Sequence, residues 1–552
     1  MILASGETIS HYTEAGVYSE LTLMDRLAVH AEKDPEKICI ADPPNRKELT
    51  GGEPERLSYE RFQAAIDAAA SGLVDLGLEK DDVVMVQLPN TWELAMLYFA
   101  VSKAGGIISP APVLWREAEL GYIAGLTGAK FFITLDTFNK FSHVEMGKRL
   151  SRDHPSLVHL LSLDDIRKMV REPSDTGLDH IRVDANDIFT ICWTSGTEAS
   201  PKGCPLSHNN WAGMAAVQDA AGMKAGDVML TAGPLVNMAS LGTVFIPWTV
   251  LGGTLVLHHP FDPNAFMHQI MTEKPNYTLL VPALANMIAK HPSVDQFDLS
   301  SFRTITLGSA PPTLWTMQEF KKRWDIDIGN IWGQNEGTGF ISGIEDVPNM
   351  EIRATSFPHY GKKGVKWKTV ASEYIIAKLV DPMGNEVTKT GEVGELVYKG
   401  PGVIAGYYRA PDVTKNSFTE DGFFRTGDIF RIEENHCISF YERAKDIIIR
   451  GGYNISSQEI ENHFMAHPKV QDVAVVGMPD EKLGEKMCVY AVPAPGETLV
   501  LEDLVAFLGE KGVARYKHPE RLEISEEIPR NPVGKVLKKN LRQDILSKLA
   551  TE

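Results

Sequence analysis

The chain has 552 residues, 43% of them hydrophobic and 23% charged, which is the composition of a globular enzyme built from several structural units and too long for one core. A formal net charge of −18 excludes non-specific nucleic-acid binding through a cationic surface, so any anionic ligand must be met by locally grouped cations. The cysteines (Cys39, Cys192, Cys204, Cys437, Cys488) are far apart and form no Cys-x-x-Cys pair, which points to reduced thiols in a cytoplasmic setting and away from a disulfide framework or zinc site.

The opening residues Met1-Ile2-Leu3-Ala4 lack a basic segment and a long apolar one, so no secretory signal is expected. Residues 83–88 read as a strand, 92–103 as an amphipathic helix, 106–110 as the next strand, and 130–134 as the strand closing that unit. The apolar run 188–193 reads as a buried strand, and directly after it comes Trp193-Thr194-Ser195-Gly196-Thr197-Glu198-Ala199-Ser200-Pro201-Lys202-Gly203. Hydroxyls, backbone N–H groups freed by glycine and one ammonium are what a polyphosphate requires of its loop. Pro201 before the lysine and Pro205 after it discourage a helix at Lys202, so this is no Walker cradle; the plain alternative is a Ser/Gly turn.

Only 235–258 is long and uncharged enough to raise a membrane question; Asn237, Pro247 and Gly252-Gly253 divide it into a helix and a strand, and no transmembrane helix is expected. A second β-α-β series spans about 228–308, with strands at 254–257 and 278–281. After about residue 373 short strands with glycine turns form a small β-rich unit, and from 446 onward a compact α+β segment ends in the basic stretch Arg530, Lys535, Lys538, Lys539, Arg542. The fold class is therefore α/β with largely parallel sheets.

Trp332-Gly333-Gln334-Asn335-Glu336-Gly337 offers a ring that can stack on a base and a carboxylate that can hold Mg²⁺, Arg425-Thr426-Gly427-Asp428 offers an acceptor for ribose hydroxyls, and Arg443-Ala444-Lys445-Asp446 and Gly534-Lys535 offer cations. Each alone reads as readily as a packed aromatic, a turn residue or a solvated charge. Their order and spacing, most specific in Asp421-Gly-Phe-Phe-Arg-Thr-Gly-Asp428 and Arg443-Ala-Lys-Asp-Ile-Ile-Ile-Arg-Gly-Gly-Tyr-Asn-Ile455, resemble the adenylate-forming superfamily over nearly the whole chain. That superfamily includes acyl- and aryl-CoA ligases, luciferases and the adenylation domains of peptide synthetases.

The resemblance implies a large N-terminal domain over 1–444, made of two layered α/β subdomains and a small β-rich one, and a small mobile α+β C-terminal domain over 445–552. It implies that a carboxylic acid attacks the α-phosphorus of ATP, pyrophosphate leaves, and a thiol then displaces AMP; ATP, Mg²⁺ and coenzyme A are the expected cofactor and co-substrates. By similarity, Lys535 is the adenylating lysine and Glu336 the Mg²⁺ ligand. Thr194, Ser195, Gly196, Thr197 and Lys202 hold phosphates, with Asn335 beside them. Asp428 and Arg443 hold ribose, Trp332 stacks on adenine with Gly308, Ser309 and Ala310 lining its edge, and Gly333 and Phe440 are further ATP-binding positions. Val236, Asn237, Met238, Leu241, Leu307 and Phe340 fall at acid-pocket positions, Lys445 at the hinge between two domain orientations, and Gly451-Gly452 at the pantetheine channel.

The chain departs from the family pattern at Glu198-Ala199 (usually Thr-Gly), at Asn335 (usually Thr), at Glu442 (a common glycine), and at Pro234-Leu235-Val236-Asn237 (usually Pro-Leu-x-His). The N-terminal half, with Trp115-Arg116-Glu117-Ala118-Glu119-Leu120, is similar to medium-chain fatty acyl-CoA synthetases, whereas the stretches around Asn237 and 443–452 also resemble stand-alone aryl acid adenylating enzymes that load a carrier protein. CoA is the favoured acceptor, the sequence showing no carrier-protein domain, and a medium-chain or cyclic or aromatic acid the favoured substrate. A homodimer is compatible with the chain. From another class, a non-catalytic nucleotide- or acyl-binding protein is the reading that Glu198-Ala199 favours.

Overall fold

The computed structural model describes residues 1–194, 201–214, 218–291, 293–451, 453–480, 482–530 and 535–550, without the side chains of Asp295, Thr338 and Asn454. These fall into two compact units, one of residues 1–194, 201–376 and 399–424, the other of residues 377–398 and 425–550.

The first unit carries two sheets. The six-stranded one runs Gly203–Ser207, Ile188–Trp193, Ile107–Pro110, Val83–Gln87, Phe131–Thr134, His159–Ser162, parallel except for its first pair. Helices cover its faces, so its strands are fully apolar runs: all six residues of Ile188–Trp193 and all five of Val83–Gln87 are buried. The eight-stranded sheet has a parallel centre, Thr304–Leu307, Tyr277–Leu280, Val228–Leu230, Thr254–Val256, and is extended by Ile38–Ala41 from the start of the chain, where Ile40 pairs with Leu255. Both of its ends are antiparallel, Asp327–Gln334 with Gly337–Ser342 and Ile38–Ala41 with Arg56–Ser58.

The helix expected at 92–103 forms as Trp92–Lys103, but it is not amphipathic: every residue from Trp92 to Ser102 is buried. An aromatic cluster explains this. Phe99 meets Phe62, Phe189, Phe245 and Trp248, so the helix is packed from both sides by elements of the two series. A hydrophobic helix sealed all round is a core helix.

Residues 235–258 give a helix and then a strand, Thr254–Val256, with the break at Gly252-Gly253, whose φ values of 71° and 101° favour glycine. Pro247 does not break the run. Met238–Ser240, Leu241–Phe245 and Ile246–Leu251 are continuous, and the middle segment is a π-helix, whose wider turn accommodates a ring with no N–H to donate. Among the described residues no helix is long and apolar enough to cross a membrane.

The second unit has a sheet in the order Cys437–Arg443, Phe424–Ile432, Val393–Lys399, Ile376–Val380, Glu386–Val387, and another built on the hairpin Val470–Asp480 with Gly484–Pro493. In Val470–Asp480 the side chains alternate between two cores. Val473 and Val475 pack with Ile460, Phe464 and Leu504, whereas Ala474 and Val476 pack with Tyr490, Leu541 and Ile545. The helices Ser457–Phe464 and Lys538–Leu549 are thereby held on opposite faces of one sheet.

Candidate functional site

In the first unit the candidate phosphate and metal residues stand on two antiparallel hairpins. Ile188–Trp193 and Gly203–Ser207 pair in register, and the base of the intervening loop is closed by Thr194 N–H to Lys202 C=O at 3.0 Å and by Lys202 N–H to Thr194 Oγ1 at 3.1 Å. A strand, not a helix, follows Lys202. Ser195, Gly196, Thr197, Glu198 and Ala199 lie outside the described residues. Cys192 and Cys204, distant in sequence, face each other across this hairpin as free thiols; burial pushes Cys192 up to about 12 and Cys204 well above the ordinary range, which makes both unreactive.

The second hairpin turns at Asn335-Glu336. The Asn335 amide spans two elements, donating from Nδ2 to the Trp193 carbonyl at 2.8 Å and accepting at Oδ1 from the Met238 N–H at 2.9 Å. It therefore joins the end of the strand before the phosphate loop to the helix start beside Asn237. Glu336 is held by Tyr407, whose hydroxyl donates to Oε1 at 2.8 Å and whose ring centroid lies 5.0 Å from the Lys202 ammonium. One aromatic side chain thus touches both the candidate metal carboxylate and the candidate phosphate cation. Trp332 packs tilted on Phe340 at 5.6 Å, and Phe340 stacks on Tyr360 at 5.3 Å.

Gly308 ends the strand Thr304–Leu307; a Cβ there would meet Ile331 Cγ2 at 2.7 Å. Ser309 follows with φ 71°, an uncommon conformation for a non-glycine residue, and both it and Ala310 are exposed. Gly333 admits the Gly339 backbone, which a Cβ would meet at 3.3 Å. Of the acid-pocket set, Val236, Met238, Leu241, Leu307 and Phe340 are buried, and Asn237 caps the helix start, its side chain accepting from the Ser240 N–H. Asn90 clamps the segment before it, donating to the Gly233 carbonyl and accepting from the Leu235 N–H, each at 2.9 Å, while the Tyr98 hydroxyl donates to the Leu235 carbonyl at 2.6 Å.

In the second unit Asp428 and Arg443 are register partners on neighbouring strands, with Arg443 Nε 3.6 Å from Asp428 Oδ1; Phe440 meets Phe430 edge-on at 5.7 Å. Lys535 lines a cleft with Arg443, Lys445, Asp446, Lys538 and Arg542. Burial, and then repulsion from Arg443, pull the Lys535 ammonium down to about 7 against the attraction of Asp428. A lysine in a cleft with several neighbouring cations is placed to receive an anion. Arg542 donates to the Lys445 carbonyl at 3.0 Å and pairs with the Asp446 carboxylate, fixing the turn that carries Lys445. Gly451 has φ 57° and donates its N–H to the Leu483 carbonyl at 2.7 Å; Gly452 lies outside the described residues. Tyr407, Asn90 and Lys538 were missed as site residues: the first sits in a loop with no periodic pattern, and the others act on neighbours distant in sequence.

The chain is a member of the AMP-binding enzyme family, which it matches over residues 27–408, and it also matches the AMP-binding enzyme C-terminal domain over residues 459–535. It is an adenylate-forming ligase. Over 98% of its length it is 31% identical to the medium-chain fatty-acid–CoA ligase of Escherichia coli (strain K12), covering 93% of that protein. Over 98% it is 30% identical to the 2,3-dihydroxybenzoate-AMP ligase of Bacillus subtilis (strain 168), covering 97% of it. Its fold is similar to that of ATP-bound MatB from Rhodopseudomonas palustris, with a TM-score of 0.81 and 25% identity over 95% of this chain and 99% of that one.

Proposed function

We propose that the chain is an ATP-dependent carboxylic acid–CoA ligase acting on a medium-chain or cyclic or aromatic acid. The observation that carries the reading is the grouping of Lys535 in one cleft with Arg443, the register partner of Asp428. A carboxylate is a poor acyl donor because its leaving group is an oxide. Attack of one carboxylate oxygen on the α-phosphorus, with departure of pyrophosphate, gives an acyl–AMP anhydride; a thiolate sulfur then attacks the acyl carbon and AMP leaves.

The first step brings two anions together, so positive charge must lie where negative charge accumulates. In this reading Lys535 bridges the acid carboxylate and the α-phosphoryl oxygens, Thr194 and Lys202 with Ser195, Gly196 and Thr197 hold the outer phosphates, and Asp428 and Arg443 hold the ribose. Trp332, Phe440, Gly308, Ser309, Ala310 and Gly333 enclose adenine. A carboxylate at a turn, oriented by a tyrosine hydroxyl, fits Mg²⁺, which takes one or two protein carboxylates and completes its shell with water and substrate phosphates; Glu336 would hold it, and it would neutralise phosphate charge. Val236, Met238, Leu241, Leu307 and Phe340 supply an apolar boundary for the acid and Asn237 a polar contact. Lys445 is the hinge between a C-terminal domain over 445–552 and the rest, and Gly451-Gly452 leave room for the pantetheine arm.

Removing the Tyr407 hydroxyl should loosen Glu336 without touching acid or nucleotide. Tyr407→Phe is expected to raise the Mg²⁺ concentration for half-maximal pyrophosphate exchange about tenfold, with the KM for the acid unchanged. An unaltered Mg²⁺ titration would remove Tyr407 from the site.

The whole reading is tested by exchange of labelled pyrophosphate into ATP across a panel of medium-chain and aromatic acids, followed by mass analysis of products with CoA. Acid-dependent exchange and an acyl-CoA product are expected. Exchange without a CoA product favours a second reading, an aryl acid adenylating enzyme that loads a carrier protein, which similarity to the dihydroxybenzoate ligase and Asn237 support. No exchange with any acid would leave a nucleotide- or acyl-binding protein.

A further inference from the structure

Glu442 is buried at 2% exposure. Its carboxylate leaves the strand Cys437–Arg443 and reaches the first turn of the helix Ser457–Phe464. Oε2 accepts from Ser457 Oγ at 2.7 Å, from the Gln458 N–H at 2.8 Å and from Ser456 Oγ at 3.3 Å, while Oε1 accepts from the Arg443 N–H at 2.8 Å. A carboxylate is favourable there because a helix start presents unsatisfied N–H groups and partial positive charge.

The Ser457 hydroxyl also accepts from the Lys538 ammonium, which pairs with Glu461 at 2.9 Å, and Glu461 accepts in turn from the Val475 N–H at 2.7 Å. Burial alone would pull Lys538 down, but Glu461, Glu442 and Asp446 hold it above the ordinary lysine range, so it remains an ammonium. Lys538 begins the helix Lys538–Leu549, three residues beyond Lys535. A continuous chain of charge-assisted bonds therefore runs from the Arg443 backbone through Glu442, Ser457 and Lys538 to Glu461.

Burying so many charged groups is a poor way to gain stability compared with apolar packing, and its best-attested advantage is to enforce one geometry. We propose that the Glu442–Ser457–Lys538–Glu461 network is a positioning device for Lys535, tying the segment that carries its ammonium to the strand that carries Arg443. The proposal rests on the reading of Lys535 as the adenylating lysine. Lys538, Ser457 and Glu442 touch neither nucleotide nor acid in that reading; they act by fixing where a neighbour's charge is delivered, and small displacements of such a charge are costly to rate.

The experiment compares wild type with Lys538→Met, Lys538→Arg and Ser457→Ala in the full-length chain. Three measurements are made: melting temperature, pyrophosphate exchange with the best acid, and the rate at which acetic anhydride labels Lys535, read by mass spectrometry. For Lys538→Met, kcat for exchange should fall about 10- to 100-fold with the KM for ATP and acid unchanged, thioester formation from supplied acyl-adenylate should persist, and Lys535 labelling should change. Lys538→Arg should restore most of kcat. Ser457→Ala, which removes a single hydroxyl and so keeps the test open if Lys538→Met fails to fold, should show the same pattern more weakly.

Unchanged kcat and unchanged Lys535 labelling in folded variants would overturn the proposal. So would a parallel loss of both half-reactions that follows melting temperature and is not restored by arginine, since that marks a helix cap with a structural role only. If wild type exchanges with no acid, the proposed function fails, and the labelling comparison still decides whether the network governs Lys535.

Discussion

Lys535→Ala should lower adenylate formation about a thousandfold while leaving thioester formation from a supplied acyl-adenylate near the wild-type rate. The magnitude follows from losing one cation at the point where two anions meet, several kcal/mol of transition-state stabilisation. The split between half-reactions follows from chemistry: once the anhydride exists, no carboxylate–phosphate repulsion is left for the ammonium to relieve. Single-turnover assays of each half-reaction check this, and equal loss in both would assign Lys535 to a general structural role.

The same lysine gives a pH signature. With its folded value near 7 and its ordinary value at 10.5, Lys535 is held below its unfolded level. The unfolded chain then binds more protons between those values, so this group's destabilisation is full below about 7 and is relieved as pH rises toward 10.5. Activity has the opposite sense: kcat/KM for ATP, which reports the free enzyme, should fall as pH rises above about 7, because the ammonium is the working form. Lys535→Arg should abolish that limb, since a guanidinium stays charged throughout.

The largest loss of stability is expected in the first unit. Arg46 is 1% exposed and is paired with both Asp42 and Glu93; Glu93 also accepts from Arg167 Nε at 2.8 Å. Asp42 further accepts from the Trp92 N–H at 2.9 Å and the Glu55 N–H at 3.0 Å, so the cluster joins the chain after the strand Ile38–Ala41 to the start of the helix Trp92–Lys103. Arg46→Met would leave two buried carboxylates facing each other, a change of about 3–5 kcal/mol.

The loss should also depend on pH. Burial, moderated by Arg46, already raises Asp42 to about 6, above the ordinary 3.8. A carboxyl raised in the folded state binds its proton more readily there, so acidification from neutrality toward pH 5 should shrink the deficit of Arg46→Met. Denaturant titrations at both pH values measure this. A deficit that grows on acidification would show that the carboxylates are stabilised by something other than Arg46.

Local order was legible where local chemistry decided it. The bounds of Trp92–Lys103, the exclusion of a helix at Lys202 and the helix-then-strand reading of 235–258 follow from apolar runs, prolines and paired glycines. Long-range pairing was not legible. Nothing in Ile38–Ala41 announces that it will complete a sheet with Thr254–Val256, and nothing in an apolar helix tells whether one face or all faces will be covered. The same limit applied to the site. Glu336, Asp428, Arg443 and Lys535 stand out by motif, whereas Tyr407 and Lys538 gain their meaning from partners that the fold, not the spacing, brings to them.

The anhydride itself is best tested with an acid carrying ¹⁸O in both carboxylate oxygens. Attack of a carboxylate oxygen on the α-phosphorus should leave one labelled oxygen in the AMP released after thioester formation and none in pyrophosphate. Label in pyrophosphate or phosphate, or AMP free of label while product accumulates, would contradict activation through an acyl–AMP anhydride.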